Sequence, residues 1–198
     1  SVPFEIIIID NEGSVKTEVL VKGFEPKFQD VGSTIRYLKN EVNSGAIARN
    51  IGIEYAQGDL IAFLDDDVVL AEDYYELVSN AFKSSESIMG IQGFDKAFAL
   101  AATKINGLSF DRFLYEFEKY FQISNFYDSK PRVTNSFCVV NPLPTCVGLI
   151  PSGWISTCAG VYRREALEKN RFDSKLMKYS WNEYVDLSIR VSRMFPAS

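Results

Sequence analysis

Residues 58–78 read GDLIAFLDDDVVLAEDYYELV. The apolar run LIAFL predicts a buried strand, and the aspartates 65–67 that follow it predict a turn. The next segment, AEDYYELVSNAFKS, has acidic residues at its start and predicts a helix. A strand, an acidic turn and a helix in this order are typical of an α/β layer fold.

The segments before this stretch continue the alternation. The run IIIID, residues 6–10, predicts a strand buried on both faces, as in parallel sheets covered by helices. Residues 31–39 fit either a short helix or a second strand. The sequence SGAIARNIGIEYAQ, residues 44–57, predicts a helix with Ile47 and Tyr55 on its apolar face and Gly58 as its C-cap.

The segments after residue 84 complete the prediction. Residues 110–121 predict an amphipathic helix, which either packs on its own core or faces an acceptor or a membrane. Residues 125–151 predict loops with short strands. Residues 154–173 predict a strand and then a helix that begins near Arg163, and residues 181–195 predict a final helix. We therefore expect a mostly parallel central sheet flanked by helices.

Composition limits the function classes. The 198 residues are 46% hydrophobic and 24% charged, which is sufficient for one domain with a substantial core. The formal net charge of −5, without a basic stripe, argues against nucleic acid as a partner. Three cysteines and no histidine indicate neither a disulfide framework nor a zinc site. With no long apolar run and no signal-peptide pattern, we expect a cytoplasmic protein.

Carboxylates follow two of the predicted strands. Asp10 ends the first strand and Asp65–Asp67 end a later one. Ligands of open α/β sheets bind beyond the carboxyl ends of the strands, so these side chains predict one acidic site. Aspartates in this position suit Mg2+ or Mn2+ shared with a diphosphate. The alternative interpretation is that they are only turn and helix-capping residues.

Other charged residues have two interpretations each. Arg49 is either a solvated helix charge or a contact to a phosphate or base. Asp186 and Arg190 are four residues apart, so an ion pair within the helix is the simpler role for Asp186, with catalysis as the alternative. Glu183, which follows Trp181 near the start of the last helix, is the candidate general base.

Four segments together resemble a known family. IIIIDNEGS, NSGAIARNIGIEYAQGDLIAFLDDDV, STCAGVYRREALEKNRFD and WNEYVDLSIR resemble, in order and spacing, the motifs of family 2 glycosyltransferases with the GT-A (Rossmann-like) fold. The resemblance implies a single GT-A domain over residues 1–198 that is partial at both ends. Its nucleotide-binding part would be about residues 1–82 and its acceptor-side part about residues 83–198.

The resemblance also implies roles for individual residues. Asp10 would contact the nucleotide base, Asn11 would line the same pocket, and Arg49 would lie near the nucleotide. Asp65 or Asp66 would touch the ribose, and Asp67, with Asp65, would bind the metal that bridges the diphosphate. The acceptor would face residues 154–160, including Trp154, and also Trp181.

The sequence departs from the family pattern in two places. The family's late motif usually has an aspartate as its catalytic base, where this chain has Tyr184. Because an ordinary tyrosine has a pKa of about 10, Glu183 is the better candidate base. The family also opens with a further strand and helix before residue 6, so we expect an exposed sheet edge, which a second copy of the chain would cover.

These expectations combine into one predicted function. The chain is expected to transfer a hexosyl or related sugar from a nucleotide-diphosphate sugar to a glycan or lipid-linked acceptor, with inversion and with Mg2+ or Mn2+. A peripheral contact with the cytoplasmic face of a membrane is a further hypothesis. The alternatives are a non-catalytic nucleotide-sugar-binding or scaffold domain and a sugar nucleotidyltransferase.

Overall fold

A computed structural model describes residues 4–93, 148–176 and 183–195, together with the strand backbones at 126–128, 132–133 and 139–142. The predicted helix at 110–121 and Trp181 lie outside these residues, as does most of the segment 125–151, in which three short strands are described. Among the described helices, none is long and apolar enough to cross a bilayer.

Helices and strands alternate from β1 to β4, which confirms the predicted α/β class. The strands are β1 Glu5–Asp10, β2 Thr34–Lys39, β3 Leu60–Ala62, β4 Gly90–Gln92, β5 Phe126–Asp128, β6 Arg132–Val133, β7 Val139–Pro142 and β8 Gly160–Arg163. The helices are α1 Val15–Gln29, α2 Gly45–Tyr55, α3 Tyr74–Ser84, α4 Arg164–Lys169 and α5 Glu183–Met194.

The first sheet is a parallel pair. β1 and β2 run side by side from Glu5 opposite Thr34 to Asp10 opposite Lys39, with α1 as the crossover between them. Residues 31–39 therefore contribute a strand and not a helix. The prediction that β1 is buried on both faces is wrong, because its residues are mainly half-buried and Ile6 is 37% exposed. Within the described residues β1 pairs on one edge only, and cover by a second copy stays a prediction.

Helix α1 was not predicted. Its apolar side chains do not form a buried stripe: Val15, Val19 and Leu20 are between 60% and 73% exposed, and Val21 is its one buried residue. A surface helix is usually predicted from a stripe of apolar residues along the face that it buries. Because α1 buries no such stripe, its sequence gives only a weak signal for a helix.

The remaining described strands form two further sheets. β8 lies between β3 and β4 and runs antiparallel to both, with Ile61 opposite Tyr162 and Ile91 opposite Val161. β7 pairs with β5 in parallel and with β6 in antiparallel orientation. The expected parallel sheet with flanking helices is thus present in β1 and β2, whereas the sheet that carries the acidic turn is antiparallel.

Helix α2 begins as predicted and ends differently. Ser44 caps its start, with its hydroxyl accepting from the Ile47 amide at 3.4 Å. The prediction that Gly58 caps its end is wrong, because the helix ends at Tyr55 with Ala56 as its cap residue. Arg164 donates to the carbonyls of Ala56 and Gly58 at 2.7 and 2.6 Å and stabilises that end. Tyr55 is also 47% exposed, so the predicted apolar face is wrong at this residue.

One hydrophobic cluster holds α2, β3, β8, α4 and α5 together. Its buried members also include Phe172, which lies between α4 and α5 in the sequence. Because these side chains interlock, the cluster fixes the positions of α2, the end of β3 and the start of α5 relative to one another. The members are Ala46, Ile53, Ile61, Tyr162, Ala166, Leu167, Phe172, Leu187 and Val191.

Substitutions at two glycines, one within α1 and one after it, test the backbone conformation of this region. Gly23 lies inside the helix with no atom within 4 Å of an added Cβ, so Gly23→Ala should raise the free energy of unfolding by up to about 1 kcal/mol. Gly32 has the same free space but a φ of +69°, so Gly32→Ala should lower the free energy of unfolding by about 1 kcal/mol. Urea unfolding monitored by circular dichroism measures both. A shift of the two variants in the same direction would contradict the backbone assigned to this region.

Candidate active site

The acidic turn is tied to the strand beside it. The amide of Phe63 donates to the Gly160 carbonyl at 2.8 Å, and the amide of Asp65 donates to the Cys158 carbonyl at 3.1 Å. These hydrogen bonds extend the β3–β8 pairing to the first aspartate. The Asp65 side chain is 37% exposed, and Asp66 and Asp67 are exposed. The turn therefore presents carboxylates to solvent from a fixed backbone.

Arg49 joins this turn to the last helix. Its Nη2 donates to Asp65 Oδ1 at 3.4 Å, and its Nη1 donates to Glu183 Oε1. The guanidinium carbon also lies 5.8 Å from the ring centre of Phe172, within the range of a cation–π contact. We call Arg49, Asp65 and Glu183 the Arg49 network. It brings together three residues that the sequence analysis assigned to the site.

Glu183 is the buried member of the network. Its side chain is 7% exposed, and its Oε2 is buried with no hydrogen-bond partner among the described residues. Burial raises the pKa of Glu183 above its ordinary value. Arg49 opposes this shift, and the negative charge of Asp65 adds to it. A buried carboxylate with one oxygen held and the other unpaired has the features expected of a proton acceptor.

Asp10 stabilises its own loop. Its Oδ1 accepts from the amides of Glu12 and Gly13 at 2.9 and 3.0 Å, and its Oδ2 accepts from the Ser14 amide at 2.9 Å and the Tyr37 hydroxyl at 3.0 Å. Desolvation alone would raise the pKa of Asp10, but these hydrogen bonds outweigh it and lower the pKa below its ordinary value. Asp10 is not part of the Arg49 network.

Asn11 is held by Asn40, a residue that the sequence analysis missed. The side-chain amide of Asn40 donates to Asn11 Oδ1 at 2.7 Å and to the Val42 carbonyl at 2.6 Å, while its backbone amide donates to the Asp10 carbonyl at 2.8 Å. Asn40 is buried, so it links the loop after β1 to the loop after β2. A single asparagine in a polar segment gives no sequence signal for this role.

Asp186 does not join the network. Its carboxylate accepts from Arg190 at 2.7 Å, as in the ion pair predicted from their spacing, and Arg190 also donates to the Arg171 carbonyl at 2.7 Å. This arrangement agrees with the structural interpretation of Asp186. Its catalytic role stays a prediction.

Trp154 and Tyr184 pack against each other. Trp154 is 5% exposed, and its ring centre lies 5.8 Å from that of Tyr184. Burial, with a smaller effect from Cys158, raises the pKa of Tyr184, so its deprotonated form is even less available near neutral pH than that of an ordinary tyrosine. Trp154 is thus part of a hydrophobic cluster, and its predicted contact with an acceptor stays a prediction.

The acidic turn offers few ligands for a metal ion. Within the described part of the chain, no group of three or more acidic or cysteine side chains is arranged to hold one. Asp66 and Asp67 make no hydrogen bond or ion pair with another described residue. Mg2+ and similar ions typically use one or two carboxylates, together with substrate phosphates and water. The turn fits such a shared site.

Curated relatives match parts of the chain. The Bacillus subtilis (strain 168) Minor teichoic acid biosynthesis protein GgaB is 29% identical over 105 residues, 53% of this chain and 11% of that protein. The Escherichia coli UDP-Glc:alpha-D-GlcNAc-diphosphoundecaprenol beta-1,3-glucosyltransferase WfgD is 35% identical over 88 residues, 43% of this chain and 32% of that protein. The chain therefore spans about a third or less of the length of these relatives.

A solved structure and a family profile identify the fold and the family. The crystal structure of GalNAc-T7 with UDP, GalNAc and Mn2+ matches 94% of this chain and 34% of that chain, with a TM-score of 0.57 and 14% identity, which confirms the predicted GT-A fold. The profile of Glycosyl transferase family 2 matches residues 2–140. Because this match covers more than half of the 198 residues, the chain belongs to glycosyl transferase family 2.

Proposed function

We propose that this chain transfers a sugar from a nucleotide-diphosphate donor to a hydroxyl or phosphate acceptor, with inversion at the anomeric carbon. The observation that carries the proposal is the Arg49 network, in which one guanidinium contacts both an aspartate of the acidic turn and the buried Glu183. A transfer reaction requires donor-binding and proton-accepting groups to be held close together. Family membership supports this class of reaction.

The donor would bind at the acidic turn. Asp67 and Asp65 would hold Mg2+ or Mn2+, and Asp65 or Asp66 would contact the ribose. The bound metal would neutralise negative charge on the diphosphate leaving group. The presence of UDP and Mn2+ in the structure of GalNAc-T7, which shares the fold, supports this choice of ligands.

Glu183 would act as the base. Its Oε2 would accept the proton of the acceptor hydroxyl while that oxygen forms a bond to the anomeric carbon and the bond to the diphosphate breaks on the opposite face. The raised pKa of Glu183 brings its proton affinity closer to that needed near neutral pH. Tyr184, whose pKa is also raised, would stay protonated.

The base-binding role of Asp10 would be indirect. A carboxylate has about four lone-pair positions, and that of Asp10 already accepts four hydrogen bonds. We therefore propose that Asp10 shapes the loop of residues 10–14 and that Asn11 and the loop backbone line the base pocket. Loss of the Asp10 carboxylate would then disturb the loop before any nucleotide binds.

A lipid-linked glycan is the proposed acceptor. The name of WfgD specifies a sugar on diphosphoundecaprenol, and the matched segment of that enzyme is 35% identical to this chain. An acceptor of this kind would require the chain to work at a membrane surface, for which we propose the cytoplasmic face.

A non-catalytic nucleotide-sugar-binding domain is the second candidate. The observation that favours it is Tyr184, which occupies the family's base position and packs on Trp154. Such a domain would bind a nucleotide diphosphate with metal and would transfer no sugar to any acceptor.

Removing one carboxylate tests the donor site. Asp67→Asn should abolish manganese-dependent binding of UDP or GDP and leave the thermal unfolding temperature unchanged, because Asp67 is exposed and makes no hydrogen bond or ion pair with another described residue. Isothermal titration with and without Mn2+ measures the binding. Asp73→Asn, another exposed aspartate, is the matched control and should bind as the wild type does. Unchanged manganese-dependent affinity in Asp67→Asn would contradict the assignment.

Replacing the proposed base separates binding from transfer. Glu183→Gln should lower sugar transfer by at least about 100-fold while the affinity for the donor stays within about threefold, because the amide cannot accept the proton. Initial rates and calorimetry measure the two quantities. Glu168→Gln, at an exposed position of α4, is the control and should transfer normally. Full transfer by Glu183→Gln would return the base role to another group.

The raised pKa of Glu183 also predicts a pH dependence of stability. The folded state holds the proton more tightly than the unfolded state, in which the pKa of this glutamate has its ordinary value of 4.5. The stabilising effect of this group is therefore complete below pH 4.5 and is lost as the pH rises through the folded-state pKa. Urea unfolding should show that the free energy of unfolding of Glu183→Gln, minus that of the wild type, increases as the pH rises above 4.5. A difference that is constant with pH would contradict the assigned shift.

A further inference from the structure

Gly45 is the first residue of α2, and its backbone does not require glycine. Ser44 before it caps the helix. Gly45 is not among the described glycines with positive φ, which are Gly13, Gly32 and Gly148. Alanine is a better helix former than glycine, so helix stability alone would favour a side chain here.

The lack of space for a side chain explains why residue 45 is a glycine. A Cβ added at Gly45 would lie 2.9 Å from Arg49 Nη1 and 3.3 Å from Glu183 Oε1, both closer than ordinary contacts. At Gly52, one of the other two glycines within described helices, the nearest atom to an added Cβ is Ile9 Cγ1 at 3.9 Å, which is an ordinary contact. The missing side chain of Gly45 therefore faces the ion pair between Arg49 and Glu183.

We infer that Gly45 is a positioning residue: the absence of its side chain lets the Arg49 guanidinium reach Glu183 and hold the carboxylate in its reactive orientation. This inference rests on the proposed role of Glu183 as the base. An added methyl group would meet the end of the flexible Arg49 side chain, which can move without displacing the helix. The first effect of the methyl group is thus on the ion pair and not on the fold.

Displacement of the guanidinium by this methyl group would affect its two contacts differently. The hydrogen bond to Asp65 is long, at 3.4 Å, and the Asp65 side chain is 37% exposed, so water can replace the guanidinium there. The Glu183 carboxylate is buried, and Arg49 is its one hydrogen-bond partner among the described residues. Displacement of Nη1 therefore leaves the proposed base without its orienting partner, while the donor side changes little.

Gly45→Ala tests the inference, with Gly52→Ala as the matched control on the same helix. In Gly45→Ala, kcat for sugar transfer should fall about 10- to 100-fold, as expected when a reacting group is misplaced by about 1 Å. The KM for the nucleotide sugar should change less than about threefold. Gly52→Ala should keep the wild-type kcat. A Gly45→Ala chain with wild-type kcat would overturn the inference.

A crystal structure of Gly45→Ala provides a test that does not depend on activity. Arg49 Nη1 should lie beyond hydrogen-bond distance of Glu183 Oε1, and an unchanged contact would overturn the inference. If the wild-type chain neither binds nucleotide diphosphates nor transfers sugar, the proposed function fails. The steric role of Gly45 is then decided by this structure alone, with a displaced guanidinium supporting it.

Discussion

The guanidinium of Arg49 is the contact on which the candidate site depends. It projects from α2 and donates to Asp65 after β3 and to Glu183 at the start of α5. The same three elements contribute to one hydrophobic cluster, so their backbones are already fixed close together. The ion pairs then determine which polar groups meet in the space between them. This division between an apolar scaffold and a charged centre is common where a site needs precise geometry.

Burial of Glu183 is costly unless its charge is compensated. Removing one partner of a buried ion pair typically costs about 3–5 kcal/mol, because the other charge is left without a counterion. Arg49 supplies most of the compensation, and the start of α2 supplies more, since the Glu183 carboxylate lies beside Gly45 at the positive end of that helix. Compensation is incomplete, because burial still raises the pKa of Glu183. The residual penalty favours proton uptake, which is the property a general base uses.

Local patterns in the sequence predicted many of the elements, and distant contacts explain most of the differences. The apolar runs before Asp10 and Asp65 predicted β1 and β3 because their signal is local. The end of α2 was not predictable, since Arg164 satisfies it from 108 residues away. The pairing of Arg49 with Glu183, 134 residues apart, likewise has no local signal. The family resemblance placed Arg49 near the nucleotide, and the position of Glu183 in the last helix made it the candidate base, but neither argument specified that they touch.

The most direct test of the central claim is a double-mutant cycle between Arg49 and Glu183. The free energies of unfolding in urea would be measured for Arg49→Met, Glu183→Gln, the double variant and the wild type. A direct buried contact predicts a coupling energy of at least about 1 kcal/mol. The exposed pair of Glu18 and Lys22 on α1 is the reference, and its coupling should be clearly smaller because both side chains are solvated. Additive effects of Arg49→Met and Glu183→Gln would contradict the claim that Arg49 joins the acidic turn to the proposed base.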